Sequence, residues 1–207
     1  MTVGDSVKKA LDHWERKEWD AAMYQASNAI DGTARKRYPA LSVASRYRAV
    51  VRDGLDIFGV LATPGVDLVK SRFPVAVRSD LPDGRPDIAD VLCGIHRAAR
   101  DHGDELTQGF ETTPYVNGRT VLRIARDGKV QLASSAVVGL LAIAVFAPEN
   151  KGEPIPSGYR LTWYQHVFFV NCWWGWQDHF RDIISVVQSP QAELDYGDAW
   201  EKWTPIQ

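Results

Sequence analysis

The chain has 207 residues, which is enough for one domain of ordinary size with a substantial apolar core. Its formal net charge of -2 excludes a protein that attracts nucleic acid through a strongly basic overall charge, so any RNA binding must depend on a local patch. The two cysteines, Cys93 and Cys172, both lie in apolar segments, which predicts reduced core thiols in a cytoplasmic protein.

The N-terminal third of the sequence has the periodicity of amphipathic helices. Apolar residues recur at helical spacing up to Trp14 and again from Trp19 to Ile30, with a polar run between the two stretches. This pattern predicts two helices, or one helix with a break near Lys17. One long helix is predicted next, from Ser42 to Leu61, because a Pro-Gly pair follows it closely.

Three arginines of this long helix lie mostly off its apolar stripe, namely Arg46, Arg48 and Arg52. Exposed guanidiniums next to aromatic side chains can line a path for unpaired RNA bases. We therefore predict RNA binding at these three positions. The sequence leaves open the alternative that they only keep the outer face of the helix solvated.

The helix predicted after Asp87 carries the densest group of ionisable side chains in the chain. Asp87 is placed to cap this helix, and the apolar residues from Ile88 to Ile95 form its buried face. Residues 95–106 then contain two imidazoles, two guanidiniums and three carboxylates. Since charged groups are costly near a core unless they pair or react, this segment is either a solvated helix end or an active site.

Arg97 and His102 are the residue types that metal-free cleavage of RNA requires. The reaction needs a base for the ribose 2′-hydroxyl, an acid for the leaving oxygen and positive charge at the phosphate. Histidine can exchange a proton near neutral pH, and the planar guanidinium matches two phosphate oxygens. We predict that Arg97 and His102 are catalytic and that His96, Arg100 and Asp101 support them.

The spacing of this pair sets a geometric condition. Residues five apart on a continuous helix point about 140° away from each other, so they cannot share one phosphate. Two arrangements would meet the condition: a helix that ends with Gly103 at its C′ position and frees His102, or a homodimer in which Arg97 and His102 meet across a two-fold axis. Arg160 and His166 have a similar spacing but lie in a strand-like segment. We call them the decoy pair, because they show that the spacing alone does not identify a site.

After Pro114 the period of the apolar residues changes to that of strands. A β-hairpin is predicted over about 119–133, with its turn at Asp127-Gly128. The apolar helix Ser135 to Phe146 follows, and it is too short to cross a bilayer, so no membrane association is expected. The remaining predictions are a strand over Tyr159 to Val170, a helix over Cys172 to Val187 and a polar tail over 189–207.

Six of the eight tryptophans fall between Trp163 and Trp203. Core packing is the commoner use of so much aromatic area, and we predict it for the Trp-rich segment from Trp173 to Trp176. A base-stacking platform or a self-association surface is the alternative that the sequence leaves open.

The pattern Arg97-x4-His102-Gly103 at the end of a helix resembles the HEPN superfamily of small helical proteins. The stretch from Trp19 to Asp31, followed by Lys36 to Pro39, is similar to an early helix of such proteins. The resemblance implies one mainly α, HEPN-like domain over 1–207, with a helical bundle over about 5–110 and 134–188 and the β-hairpin as an insertion.

The same resemblance implies an activity. Members of the superfamily are typically metal-independent endoribonucleases that need no cofactor, and many are toxins or defence effectors. The partners that this implies are RNA and a second copy of the chain, with a separate antitoxin protein as a further candidate. The family commonly has asparagine after the arginine, whereas this chain has Ala98. That departure favours the alternative, a non-catalytic helical binding or scaffold protein with the same fold.

Overall fold

The computed structural model describes residues 1–102, 110–113, 122–124, 129–163, 165–186 and 190–206, with residues 97–102 and 122 described by their backbone only. The protein is mainly α, as predicted. The helices are α1 (Val3–Glu15), α2 (Trp19–Arg37), α3 (Val43–Asp53), α4 (Leu55–Ala62), α5 (Ile88–His102), α6 (Ser135–Phe146), α7 (Val170–Trp173) and α8 (Gln177–Ser185). The strands are β1 (Phe110–Thr113), β2 (Leu122–Ile124), β3 (Val130–Ala133), β4 (Arg160–Trp163) and β5 (His166–Phe169).

The predicted break near Lys17 separates α1 from α2. Lys17 has a φ of 62°, in the left-handed region. Its amide donates to the carbonyl of Trp14, and the amide of Glu18 donates to the carbonyl of His13, each at 3.0 Å. This pair of bonds is a Schellman motif, which satisfies two of the free carbonyls at the end of α1 and turns the chain into α2.

The long helix predicted from Ser42 to Leu61 is wrong, because the chain forms two helices that meet at Gly54. A Cβ added to Gly54 would lie 2.7 Å from Cγ1 of Ile143, so the side chain of Ile143 in α6 leaves no room for a larger residue at this junction. The predicted start of α3 is confirmed, since the Ser42 hydroxyl accepts a hydrogen bond from the amide of Ser45 at 3.2 Å.

The apolar helix predicted from Ser135 to Phe146 is confirmed as α6 and is the centre of the core. Nearly all of its residues are buried. It packs against α2, α4 and α8, and a Cβ added to Gly139 would lie 2.7 Å from the ring of Phe58 in α4. An all-round apolar helix of this kind is stable only when other elements surround it.

A three-stranded sheet forms around the predicted hairpin. β2 and β3 pair antiparallel in the order β1-β3-β2, as the prediction required, although its turn at Asp127-Gly128 lies outside the described residues. β1 was not predicted, and it pairs parallel to β3 with Phe110 opposite Val130. The sheet is therefore mixed rather than antiparallel. A parallel pair joins distant segments, so no turn signal marks it in the sequence.

The single strand predicted over Tyr159 to Val170 is wrong, because this segment folds back on itself. β4 and β5 pair antiparallel, with Arg160 opposite Phe169 and Trp163 opposite His166. The aromatic and β-branched content indicated strand structure correctly. The reversal was missed because the segment contains no glycine, proline, asparagine or aspartate to mark a turn.

The segment predicted as a polar tail packs back onto the loop that follows α4. Ala192 pairs with Val66 as an isolated parallel bridge, and the indole Nε1 of Trp203 donates to the carbonyl of Val75 at 2.9 Å. The ring of Tyr196 packs against Phe73 with 5.7 Å between centroids. The last residues thus stabilise a long loop that has little secondary structure of its own.

The two cysteines differ in their surroundings. Cys93 is buried, as predicted, whereas Cys172 is exposed, so the prediction of a core thiol is wrong there. The short helix α7 places Cys172 on its outer side while Val170 faces the core. In the part of the chain that the structure describes, none of the helices is both long and apolar enough to cross a membrane.

Candidate functional site

The helix α5, which carries the predicted catalytic pair, begins as its sequence predicts. The carboxylate of Asp87 accepts a hydrogen bond from the amide of Asp90 at 2.9 Å, and the carboxylate of Asp90 accepts one from the amide of Asp87 at 3.3 Å. These reciprocal bonds satisfy backbone donors that a helix start otherwise leaves free. The start of α5 is therefore anchored by its own sequence.

The backbone of α5 is helical without interruption from Ile88 to His102. The predicted residues Arg97, Arg100, Asp101 and His102 all belong to its last turns, but their side chains lie outside the described part of the structure, as does Gly103. Positions 97 and 102 are separated by about 140° around the axis of a continuous helix. A single α5 therefore does not present these two positions on one face.

His96, predicted as a supporting site residue, belongs to the core instead. Its side chain is only 2% exposed, and its ring stacks on Tyr47 of α3 with 5.0 Å between centroids and 10° between planes. Burial raises the pKa of the Tyr47 hydroxyl, so that ring stays neutral. His96 joins α3 to α5 by packing, and a substrate does not reach a ring buried in this way.

The three arginines predicted to bind RNA are paired with carboxylates of the same chain. Arg46 lies 3.0 Å from Asp31, Arg48 lies 2.6 Å from Asp90, and Arg52 lies 2.7 Å from Asp87, measured between nitrogen and oxygen. The side chains of Arg46 and Arg48 are largely buried. RNA binding at these positions stays a prediction, but in this structure each of the three guanidiniums has a carboxylate of the same chain as its partner.

The buried carboxylate of Asp90 is the centre of this network. It is fully buried and accepts a hydrogen bond from the Ser79 hydroxyl at 2.7 Å, while Arg48 also donates to the carbonyl of Arg78 at 2.6 Å. Burial raises the pKa of Asp90. These contacts tie α3 to the start of α5 and to the loop before it, so the network is structural.

The decoy pair Arg160 and His166 also lies apart. The two residues occupy opposite strands of the β4–β5 hairpin, and neither is the cross-strand partner of the other. His166 stacks on Trp163 with 5.7 Å between ring centroids. The guanidinium of Arg160 has no hydrogen bond or ion pair within the described residues.

The prediction that the Trp-rich segment packs in the core is confirmed for most of its rings. Trp174 is buried, and Trp173 packs edge-on against Phe168 with 4.8 Å between centroids. Trp176 is the exception, since it is 55% exposed. The aromatic area of this segment serves mainly to close the core around Phe146 and Phe180.

A cavity of about 530 Å³ lies between the end of α1 and the start of β4. Its walls combine an indole and an aliphatic side chain with two opposite charges, several hydroxyl groups and a glycine turn. The lining residues are Leu11, Trp14, Glu15, Ser157, Gly158, Tyr159, Arg160 and Thr162. Polar side chains outnumber apolar ones in this lining, so a ligand would be held mainly by polar contacts beside one apolar patch.

Two of the charges that line this cavity are uncommitted. Glu15 and Arg160 are both exposed, and the side chain of neither makes a hydrogen bond or an ion pair with the described residues. The Tyr159 hydroxyl, by contrast, is held in place: it donates to Asp12 at 2.6 Å, and Lys8 pairs with the same carboxylate at 2.6 Å. Burial alone would raise the pKa of Asp12, but the hydrogen bonds from Lys8 and Tyr159 lower it.

The sequence contained no local signal for this cavity. In the sequence, Trp14 and Glu15 come at the end of a predicted helix, and Ser157 and Gly158 belong to a predicted loop. Arg160 stood out only because its spacing from His166 resembles that of Arg97 and His102. Only the packing of β4 beside α1 brings them together. In the described ranges there is no group of three or more His, Cys, Asp or Glu side chains placed to hold a metal ion.

Comparison with known proteins places the chain among mycobacterial relatives. It is 61% identical over 207 residues to the uncharacterized protein Rv1289 of Mycobacterium tuberculosis and to the uncharacterized protein Mb1320 of Mycobacterium bovis, covering 100% of this chain and 99% of each relative. No solved structure matches it. The model of the Rv1289 family matches residues 2–200, and the chain therefore belongs to the Rv1289 family.

Proposed function

We propose that this protein is a non-catalytic binding protein built on a helical bundle. The observation that carries the proposal is the continuity of α5 through His102. Since positions 97 and 102 lie about 140° apart around that helix, one chain does not assemble a proton carrier and a permanent cation around a single phosphate.

The contacts of the other predicted site residues support the same conclusion. His96 is committed to Tyr47, and Arg48 and Arg52 are committed to the carboxylates around Asp90. A guanidinium paired with a buried carboxylate cannot bind phosphate without breaking an ion pair that the fold needs. The described surface also offers the cavity between α1 and β4, where the charged groups of Glu15 and Arg160 have no partner among the described residues.

A second candidate function is a HEPN-type, metal-independent endoribonuclease with sites shared between two chains. The observation that favours it is that positions 97 and 102 both belong to the last described turns of α5, so that the Arg97-x4-His102 pattern lies on a helix as in the resemblance. In a homodimer, Arg97 of one chain could meet His102 of the other. The substrate would then be RNA, and the protein would act in the cytoplasm as a toxin or defence effector with a separate antitoxin.

Cleavage of mixed RNA in EDTA separates the two candidates. The wild-type chain, Arg97→Ala and His102→Ala are compared with Arg35→Ala, which removes an arginine whose side chain is 67% exposed elsewhere on the surface. We expect all four proteins to leave the RNA intact. The proposal is wrong if the wild type and Arg35→Ala cleave RNA while the other two variants lose at least a hundredfold in rate.

Mixing the two variants tests the shared site directly. If each site takes its arginine from one chain and its histidine from the other, about half of the dimers in an equal mixture of Arg97→Ala and His102→Ala pair the two variants, and each of these carries one intact site out of two. Mixing then restores about a quarter of the wild-type rate. We expect no recovery, because we expect no cleavage by the wild type.

A further inference from the structure

We propose that the cavity between α1 and β4 binds a neutral saccharide of one or two rings. This inference rests on the proposed binding function and names its site and ligand class. Three features of the cavity carry it: balanced charge, uncommitted hydroxyl groups and an apolar wall that includes an indole.

The charges of the cavity favour a neutral ligand. Glu15 of α1 and Arg160 of β4 contribute one negative and one positive charge to the lining, and their side chains form no ion pair with each other. Such a pair attracts neither a phosphate nor a metal ion, because each charge offsets the field of the other. A carboxylate that accepts hydrogen bonds beside a guanidinium that donates them instead suits a ligand rich in hydroxyl groups, which do both.

Further hydroxyl groups line the same cavity. Ser157 and Thr162 are exposed, and their hydroxyl groups make no hydrogen bond with the described residues, so both hydroxyls are free to bind a ligand. The Tyr159 hydroxyl is held by Asp12 and therefore shapes the wall rather than binding the ligand. Gly158, with a φ of 95°, lets the backbone turn without a side chain, and a Cβ at this position would meet nothing within 4 Å.

The apolar wall is in place before a ligand arrives. Leu11 is buried, and Trp14 is braced by an edge-to-face contact with Trp19 that has 4.9 Å between ring centroids. The C–H groups of a sugar ring can pack on an apolar surface while its hydroxyls reach the polar side. The volume of about 530 Å³ falls in the range of about 300–1,000 Å³ that is usual for small-molecule sites.

Isothermal titration of the full chain with maltose, cellobiose and lactose tests the proposal. We expect at least one of the three to bind, and we expect Arg160→Ala, Glu15→Gln and Thr162→Val each to weaken its affinity at least tenfold. All three side chains are exposed, so the variants should keep the fold, and unchanged thermal midpoints would verify this. The matched control is Arg78→Ala, because Arg78 is another exposed arginine whose guanidinium has no ion pair within the described residues. Its affinity should stay within twofold of the wild type.

Three outcomes would overturn the saccharide site: none of the disaccharides binds at millimolar concentration, binding is unchanged in the three variants, or only inorganic phosphate or free tryptophan binds. The RNA cleavage assay distinguishes failure of the saccharide site from failure of the proposed binding function. A chain that neither cleaves RNA nor binds a disaccharide remains a candidate binding protein without this ligand. A chain whose RNA cleavage depends on Arg97 and His102 contradicts the proposed function itself.

Discussion

At the scale of single residues, two side chains have a clear effect on the stability of the fold: one lowers it and the other raises it. Lys17 adopts a left-handed conformation that glycine adopts without strain, and Asp90 keeps a buried charge that its two arginines must balance. Lys17 lies between α1 and α2, and Asp90 connects the start of α5 to α3. Their substitution therefore has effects of opposite sign on the free energy of unfolding.

Replacing Lys17 with glycine should stabilise the protein. The left-handed conformation costs an L-residue roughly 1 kcal/mol, so we expect the free energy of unfolding to rise by about 0.5–1 kcal/mol. Urea unfolding measures this change. Lys9→Gly is the matched control, because Lys9 is exposed within α1 and loss of helix propensity there should cost about 1 kcal/mol. Equal destabilisation by both variants would contradict the Schellman motif.

Replacing Asp90 with asparagine should be strongly destabilising. The variant leaves Arg48 with no carboxylate at 2.6 Å in a buried site, and breaking a buried ion pair from one side costs about 3–5 kcal/mol. The control is Asp80→Asn in the same network, whose side chain is 40% exposed and should cost less than about 1 kcal/mol. Similar losses in the two variants, measured by urea unfolding, would show that burial does not govern this network.

At the scale of elements, close approach between helices decides where small residues are required. α6 passes α4 with Gly139 against the ring of Phe58, whereas Gly59 of α4 faces Leu68 at an ordinary distance. The two glycines have the same intrinsic cost in a helix. Their surroundings differ, so the same substitution should act in opposite directions.

Gly139→Ala should destabilise the protein although alanine favours helices. The new Cβ would lie 2.7 Å from the ring of Phe58 and 2.9 Å from Cβ of Ala62, and overpacking of this kind costs about 1–3 kcal/mol. Gly59→Ala is the control: its Cβ would lie 3.7 Å from Leu68, and the variant should gain up to about 1 kcal/mol. Thermal unfolding of both variants measures the contrast, and a gain in the two alike would mean that α6 is less tightly packed.

At the scale of the whole molecule, ion pairs join parts of the chain that are far apart in sequence. Arg37 at the end of α2 donates to both carboxylate oxygens of Glu149, at 2.8 and 2.9 Å, and it also reaches Asp53. Lys36 pairs with Glu153 at 2.8 Å. These contacts fasten the end of α2 to the loop after α6, so their protonation affects the stability of the whole fold.

The pH dependence of unfolding should reveal the bond between Arg37 and Glu149. Burial alone would raise the pKa of Glu149, but the hydrogen bonds from Arg37 lower it below its ordinary value. A carboxyl whose pKa is lower in the folded state adds stability above its unfolded pKa of about 4.3, and this stability is lost as the pH falls through the folded pKa. We therefore expect Glu149→Gln to be less stable than the wild type at pH 7, by about 1–2 kcal/mol, and the difference to shrink below pH 4.

Urea unfolding across pH 2.5–7 measures that difference. Glu193→Gln is a suitable control, since Glu193 is exposed and has no ion pair within the described residues. A difference between Glu149→Gln and the wild type that stays constant down to pH 2.5 would contradict the assigned direction of the pKa shift.

The sequence predicted the elements that depend on neighbouring residues and missed those that depend on residues far apart in the chain. The start of α3 at Ser42, the start of α5 at Asp87 and the full extent of α6 were predictable because capping and apolar periodicity are local. The reversal between β4 and β5 and the strand β1 were missed, because no turn residue and no local alternation marks them.

The sequence by itself determined the mainly α character of this protein, the position of most helices and the concentration of charge at the end of α5. The tertiary structure alone decided that Arg46, Arg48 and Arg52 face carboxylates and that His96 stacks on Tyr47. It also decided that Glu15 and Arg160 line one cavity. The physical reason is that helix formation depends on neighbours within a few turns, whereas the partner of a charge depends on which distant segments the core brings together.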